Sequence, residues 1–175
     1  MQRLKVSTVV HLPPEEIYDF LIDFPRYAKY SEYLEEVRRD GDGAPGTEYD
    51  LRFAWWKLSY TARSTVTGVD RPERIEWELV RDLDASGYWA VEPEPAAAPD
   101  DSETASRVYF VVEYAPDSAR AGALELPSFV SFDWVVEKVT PKIRDEAEKV
   151  IRRVVRDLEG RRREISLTVH ETPDL

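Results

Sequence analysis

The hydrophobic pattern of this 175-residue chain changes its period once, near residue 130. Along residues 47–114 apolar side chains alternate with other residues in five successive runs, the pattern of β-strands with one buried face. After residue 130 they recur every three or four residues, which predicts one long amphipathic helix over about residues 130–163. The apolar positions of this helix are Val135, Val139, Ile143, Ala147, Val150, Ile151, Val154, Val155 and Leu158. A single long helix therefore has to cover a large antiparallel sheet, which must curl around it.

The first forty residues predict a strand and two short helices. Proline and glutamate at residues 13–16 are typical of a helix start, because proline fits the first turn and carboxylates favour the positive end of the helix dipole. Pro25 is expected to end that helix, and tyrosines three residues apart between Tyr27 and Tyr33 predict a second one. The strand is indicated by the alternating residues Leu4, Val6, Thr8 and Val10.

Three segments need separate interpretation. Residues 92–106 include the sequence PEPAAAPDD and are expected to form a long hairpin loop, since predicted strands with the same alternating apolar pattern flank them. The tail, residues 165–175, alternates apolar and polar residues from Ile165 to Val169 and is expected to add a short edge strand. Pro141 predicts either a kink in the long helix or a new start with Thr140 as N-cap.

The charge of the chain restricts its partners. Thirty-five acidic residues against 24 basic ones give a net charge of −11, which opposes binding to nucleic-acid phosphates and to anionic lipid surfaces. The arginines of residues 152–163 are expected to lie on a solvated helix face among the acidic residues Asp145, Glu146, Glu148, Asp157 and Glu159. We therefore expect no nucleic-acid partner.

The apolar segments of the chain are short. No run approaches the roughly 18 apolar residues that cross a bilayer, and residues 1–12 lack the apolar region of a signal peptide. We therefore expect a cytoplasmic protein without stable membrane insertion.

Catalytic and metal-binding signatures are missing from the sequence. Without cysteine there are no disulfides, thiolate nucleophiles or cysteine-ligated metals. No metal-spaced cluster or nucleophile motif occurs, and His11 is expected to be exposed while His170 lies in the tail. We therefore expect no metal and no cofactor, and we assign no catalytic residue.

Aromatic residues, 11% of the chain, are the positive signal. Aromatic and apolar side chains with a few polar groups suit the wall of a pocket for a planar or hydrophobic ligand, although the same side chains could fill a solid core. Adjacent Trp55 and Trp56 cannot both face inward from one strand, so at least one lies on the outer surface or in a turn. We expect Tyr27 and Tyr30 near the mouth of the pocket. The full set of predicted ligand-binding residues is Tyr27, Tyr30, Phe53, Trp55, Tyr60, Trp77, Trp89 and Phe110.

Four segments and the order of the elements carry a family resemblance. They are PPEEIYDFLIDFPRYAKY (residues 13–30), GYWAV (87–91), RVYF (107–110) and VIRRVVRDLEGRRRE (150–164). Over about residues 3–164 the chain resembles the START-like helix-grip (SRPBCC) superfamily, and within it the polyketide cyclase/dehydrase and Coq10-like branch. The resemblance implies an α+β fold of the START/Bet v 1-like type, in which a curved antiparallel sheet wraps around a long C-terminal helix. We expect six or seven strands and a single domain over residues 1–175.

Two functional hypotheses follow from the resemblance and the aromatic pattern. The first is a non-catalytic carrier or sensor that binds a lipid, quinone or polyketide-like molecule between sheet and helix. The second is a polyketide cyclase, aromatase or dehydratase, in which cavity shape and a few hydroxyls direct a reactive substrate. The lack of a strong acid–base pair favours the carrier. Ribosome association, as in some Coq10-like proteins, is disfavoured by the net charge of −11.

Overall fold

The computed structural model describes residues 1–100, 103–118 and 130–172. Short 3₁₀ helices occupy Phe24–Tyr30, Pro95–Ala97 and Pro116–Ser118. The strands and α-helices follow one another as β1 (Gln2–Val10), α1 (Pro14–Ile22), β2 (Leu34–Asp40), β3 (Glu48–Trp55), β4 (Leu58–Asp70), β5 (Arg74–Leu79), β6 (Asp84–Pro93), β7 (Ser106–Ala115), α2 (Phe132–Glu159) and β8 (Thr168–Glu171).

All the described strands join one antiparallel sheet in the order β2-β3-β4-β5-β6-β7-β1-β8. The register shifts between Leu34 and Glu36 in β2 and between Val66 and Gly68 in β4. Such bulges bend a strand and increase its twist, which helps the sheet to curve. The predicted helix-grip architecture is confirmed, and the described residues form eight strands rather than six or seven.

The segment after β1 packs onto the inward face of the sheet. Helix α1 begins at Pro14 with Glu15 and Glu16 in its first turn, as expected, and ends at Ile22. The second predicted helix is a 3₁₀ helix with Pro25 in its first turn. The buried side chains of these two helices are Ile17, Tyr18, Phe20, Leu21, Phe24 and Tyr30.

Two features differ from the sequence-based expectations. Strand β2 was not predicted, because it is strongly charged and only Leu34 and Val37 among its residues are buried. Helix α2 begins after Ser131, whose side chain accepts a hydrogen bond from the Trp134 N–H, and it continues through Pro141. The expected new start with Thr140 as N-cap is therefore wrong.

The tail returns to the sheet as β8, which pairs with β1 and confirms the predicted edge strand. Ser7 in β1 links the two strands, since its Oγ lies 2.8 Å from His170 Nε2 and accepts a hydrogen bond from Arg107 at 3.0 Å. The segment between β6 and β7 forms the expected hairpin excursion in its described part, including the 3₁₀ helix at Pro95–Ala97. None of the described helices is long and apolar enough to cross a bilayer.

A buried carboxylate ties the end of α2 to the end of β1. The Glu159 side chain is 2% exposed and accepts hydrogen bonds from the His11 N–H at 2.8 Å and from Arg163 Nε at 2.7 Å. Arg163 also donates to the Val9 carbonyl at 2.7 Å. The expectation that Glu159 lies on a solvated face is wrong, as is that of an exposed His11, whose side chain is 15% exposed.

This contact predicts an acid-sensitive contribution to stability. Burial opposes ionisation of Glu159, but hydrogen bonds from Arg163 and His11 outweigh it and hold the pKa of this carboxyl below its usual value. Because the folded pKa lies below the unfolded one, the stabilisation is fully present above about pH 4.3 and is lost as pH falls through the folded pKa. We expect Glu159→Gln to lower the free energy of unfolding at pH 7 by about 2 kcal/mol.

Urea unfolding at neutral and acidic pH measures this effect. The difference between wild type and Glu159→Gln should shrink between about pH 5 and pH 3. Glu164→Gln, which removes the same charge from an exposed position, is the control and should unfold like the wild type. Equal losses in both variants would show that the buried contact does not stabilise the fold.

Candidate ligand-binding site

A cavity of about 370 Å³ lies between α2 and the inward face of the sheet. Most of its wall is apolar, and side chains from α1, the first 3₁₀ helix and several strands complete it. Helix α2 supplies one side through the predicted apolar stripe, namely Ala147, Val150, Ile151, Val154, Val155 and Leu158. The side chains of Val135, Val139 and Ile143, also predicted for this stripe, lie outside the described residues.

Four of the eight predicted ligand-binding residues line the cavity, namely Tyr27, Tyr30, Phe53 and Trp89. Tyr27 stands between Phe20 and Trp89, with ring centroids 5.5 and 6.5 Å away. Phe53 is 38% exposed, which fits a position at the edge of the cavity. The structure thus gathers residues from the 3₁₀ helix, β3 and β6 around one space.

The hydroxyls of Tyr27 and Tyr30 in the wall are engaged in hydrogen bonds. Tyr27 donates to the Leu21 carbonyl, and burial raises the pKa of Tyr27 well above its usual value. Tyr30 donates to the Asp157 carboxylate, and burial together with this hydrogen bond raises the pKa of Tyr30. Both phenols therefore stay protonated at neutral pH.

Trp77 and Phe110 are not among the described residues that line the cavity. They lie beside Trp89 on the inward face: the Phe110 ring centroid is 4.6 Å from that of Trp89, and Trp77 stacks on Phe110 at 6.1 Å. Gly87 makes room for this row, because a Cβ there would approach Trp77 Cζ2 to 2.8 Å. The ligand-binding role of these two residues stays a prediction.

Trp55 and Tyr60 are likewise not among the described lining residues. Trp55 stacks on Trp134 of α2 at 6.3 Å, and the Lys142 ammonium lies 5.2 Å from its ring centroid. Trp56 occupies the β3–β4 turn with a φ of 55°, so the neighbouring tryptophans do separate into strand and turn. The Tyr60 hydroxyl points instead to the Asp82 carboxylate at 3.5 Å.

The cavity also has a charged residue that the sequence interpretation missed. Glu146 is 7% exposed and lines the cavity, so the expectation of a solvated position is wrong. Its Oε1 accepts hydrogen bonds from the Glu32 N–H and from Arg153 Nη1, both at 3.1 Å. Glu146 lies four residues before Val150 and therefore borders the apolar stripe of the helix. This spacing was the one sign in the sequence that Glu146 could face the cavity.

An antiparallel sheet that grips a C-terminal helix around an apolar cavity defines the helix-grip class of proteins. The sequence agrees, since residues 1–159 match the family model described as polyketide cyclase / dehydrase and lipid transport. The chain belongs to this family, within the SRPBCC/Bet v 1-like superfamily. The Coq10-like part of the resemblance stays a prediction.

Three solved structures are similar over 90% of this chain. TTHA0849 from Thermus thermophilus has a TM-score of 0.56 at 15% identity, with 97% of its chain covered. The Zhui aromatase/cyclase from Streptomyces sp. R1128 has a TM-score of 0.57 at 16% sequence identity, with 93% of its chain covered. A Thalictrum flavum norcoclaurine synthase mutant in complex with a transition-state analogue has a TM-score of 0.55 at 10% sequence identity, with 96% of its chain covered. At these identities the likeness shows the fold alone, and a comparison with curated proteins found no match.

Proposed function

We propose that the protein binds a small hydrophobic ligand in the cavity between sheet and α2, as a carrier or sensor that does not transform it. The observation that carries this proposal is the nearly continuous apolar wall around about 370 Å³. Burial of ligand surface against such a wall supplies the free energy of binding. The family description, which includes lipid transport, supports the same function.

The polar groups of the wall favour binding over catalysis. The Tyr27 and Tyr30 hydroxyls are engaged with protein acceptors, and Thr8 Oγ1 donates to the Ser166 carbonyl at 3.1 Å. A general acid or base has to exchange protons with a substrate near neutral pH. The raised pKa values of both phenols make them poor candidates for that role.

The size of the cavity limits the ligand. Ligand pockets range over about 300–1,000 Å³, so this one suits a molecule of a few rings or a medium acyl chain rather than a whole phospholipid. We expect a quinone, a fatty acid or a polyketide-like aromatic compound to fit it.

Tryptophan fluorescence tests the proposal, because Trp89 lines the cavity while Trp56 lies in a turn outside it. Decylubiquinone and laurate should quench or shift the emission of the wild type and of Trp56→Phe. Trp89→Phe should lose most of the response. Mass spectrometry of solvent extracts of the purified protein identifies any ligand that is already bound.

The affinity should also depend little on salt. Apolar burial is not screened by ions, so we expect the dissociation constants to change less than about threefold between low and high ionic strength. Unchanged emission with every ligand, together with an empty extract, would contradict the proposal.

A polyketide cyclase or dehydratase is the second candidate. It is favoured by the family description and by Glu146, a carboxylate on the wall of the cavity. A carboxylate beside a reactive poly-β-ketone could remove the proton that starts ring closure. Product analysis with a polyketide synthase that releases an unreduced chain separates the two functions, since a carrier leaves the ratio of ring products unchanged.

A further inference from the structure

The wall of the cavity is almost wholly apolar, and Glu146 is the one carboxylate among its described residues. This residue comes from α2, and Ser31 and Tyr33 from the segment before β2 line the same space. Thr8, the other hydroxyl residue of the wall outside the tyrosines, already donates to a backbone carbonyl. An apolar body with one polar group therefore has a defined orientation available in the cavity.

The hydrogen bonds of Glu146 are unevenly divided between its two oxygens. The Glu32 N–H and Arg153 Nη1 both reach Oε1. No hydrogen bond from the described residues reaches Oε2. An ionised oxygen in a largely apolar site gains most from a hydrogen-bond donor, because burial without one is costly. With respect to the described residues, the second oxygen is left for a donor that enters the cavity.

Ser31 provides a complementary group. Its Oγ accepts hydrogen bonds from the Tyr33 and Leu34 N–H groups, both at 3.2 Å. Those bonds do not use the hydroxyl proton, so Ser31 can donate it. An acceptor and a donor among the lining residues of one cavity match a hydroxyl group, which accepts and donates at once.

The local charges favour a neutral group over an amine. Arg153 lies 3.1 Å from Glu146 and 3.7 Å from the Glu32 carboxylate. An ammonium at Glu146 would compete with this guanidinium and be repelled by it. A hydroxyl makes the hydrogen bond without that repulsion.

We propose that the ligand carries an alcohol or phenol group on its hydrophobic body, and that Glu146 accepts the hydrogen bond of this group. The inference rests on the proposed binding function and adds the chemistry that selects the ligand. Glu146 is then a specificity-determining residue of the cavity.

Three naphthalenes of similar size test the inference by calorimetry. They are 2-naphthol, which donates a hydrogen bond, 2-methoxynaphthalene, which keeps the oxygen without the proton, and 2-methylnaphthalene, which has neither. We expect the wild type to bind 2-naphthol about tenfold more tightly than 2-methoxynaphthalene, because a hydrogen bond to a charged acceptor is among the stronger ones. This comparison requires no variant.

Glu146→Gln assigns the preference to the residue. The amide can keep its oxygen towards Glu32 and Arg153 and places an NH₂ group where Oε2 stood. We expect the preference for 2-naphthol over 2-methylnaphthalene to fall about tenfold relative to the wild type. The affinity of the variant for 2-methylnaphthalene is the internal reference for this ratio, and its circular dichroism spectrum and melting curve show whether it is folded. Glu148→Gln is the matched control on the exposed side of α2 and should keep the wild-type preference.

The possible failures are distinguishable. If all three compounds bind the wild type without preference for 2-naphthol, or Glu146→Gln weakens all of them equally, the inference is overturned while the binding function stands. If none of the compounds binds the wild type, the cavity does not accept small apolar rings, and the proposed function is overturned together with the inference.

Discussion

Ile151→Asp is expected to lower the free energy of unfolding by about 3–5 kcal/mol, a large part of the stability of a domain of this size. Ile151 packs against the core and lines the cavity from the middle of α2. The change removes apolar surface that the fold buries and places a carboxylate against an apolar wall.

Arg152→Asp is the matched control, because it introduces the same side chain on the exposed neighbouring position of the helix. Thermal and urea unfolding of both variants measure the difference. We expect the control to stay within about 1 kcal/mol of the wild type. Wild-type stability of Ile151→Asp would show that this face of α2 does not pack against the fold.

The periodicity of the chain was sufficient to predict most of the fold. Strand β4 buries Ala62, Ser64 and Val66 in alternation, which leaves a clear pattern in the sequence. Strand β2 escaped prediction because it is an edge strand with charged residues on both faces. The continuity of α2 through Pro141 could not be predicted, since a proline permits either a kink or an interruption.

The site was less predictable than the fold. Alternation places Trp77, Trp89 and Phe110 on the inward face, but period alone does not say which inward residue meets open space. That depends on ring packing, in which Phe110 and Trp77 lie beside Trp89, and of these three rings Trp89 is the one among the described lining residues.

Glu146 illustrates the opposite error at the same site. A charged residue on an amphipathic helix is usually solvated, and this one is buried because a distant arginine and a backbone N–H from the segment before β2 meet it there. Hydrogen bonds between groups that are distant in the sequence cannot be predicted from the local pattern of residues.

Val154→Trp is expected to weaken ligand binding at least tenfold while leaving the fold at least as stable as the wild type. Val154 lines the cavity from α2, and an added indole would occupy a substantial part of about 370 Å³. The ligand then loses the apolar surface that it would bury, whereas the protein gains contacts in space that was open. Filling a cavity commonly raises stability by about 0.5–2 kcal/mol.

The opposite signs of the two effects make this variant informative. A variant that merely disturbs the fold lowers the melting temperature and the affinity together, so reduced affinity with an equal or higher melting temperature identifies the cavity as the binding site. Lys149→Trp adds the same side chain on the exposed side of α2 and should change neither quantity. Decylubiquinone titrations followed by intrinsic fluorescence, with melting curves of the same samples, measure both. Undiminished affinity in Val154→Trp would mean that the ligand binds outside this cavity, because an indole at that position and a ligand cannot share the same volume.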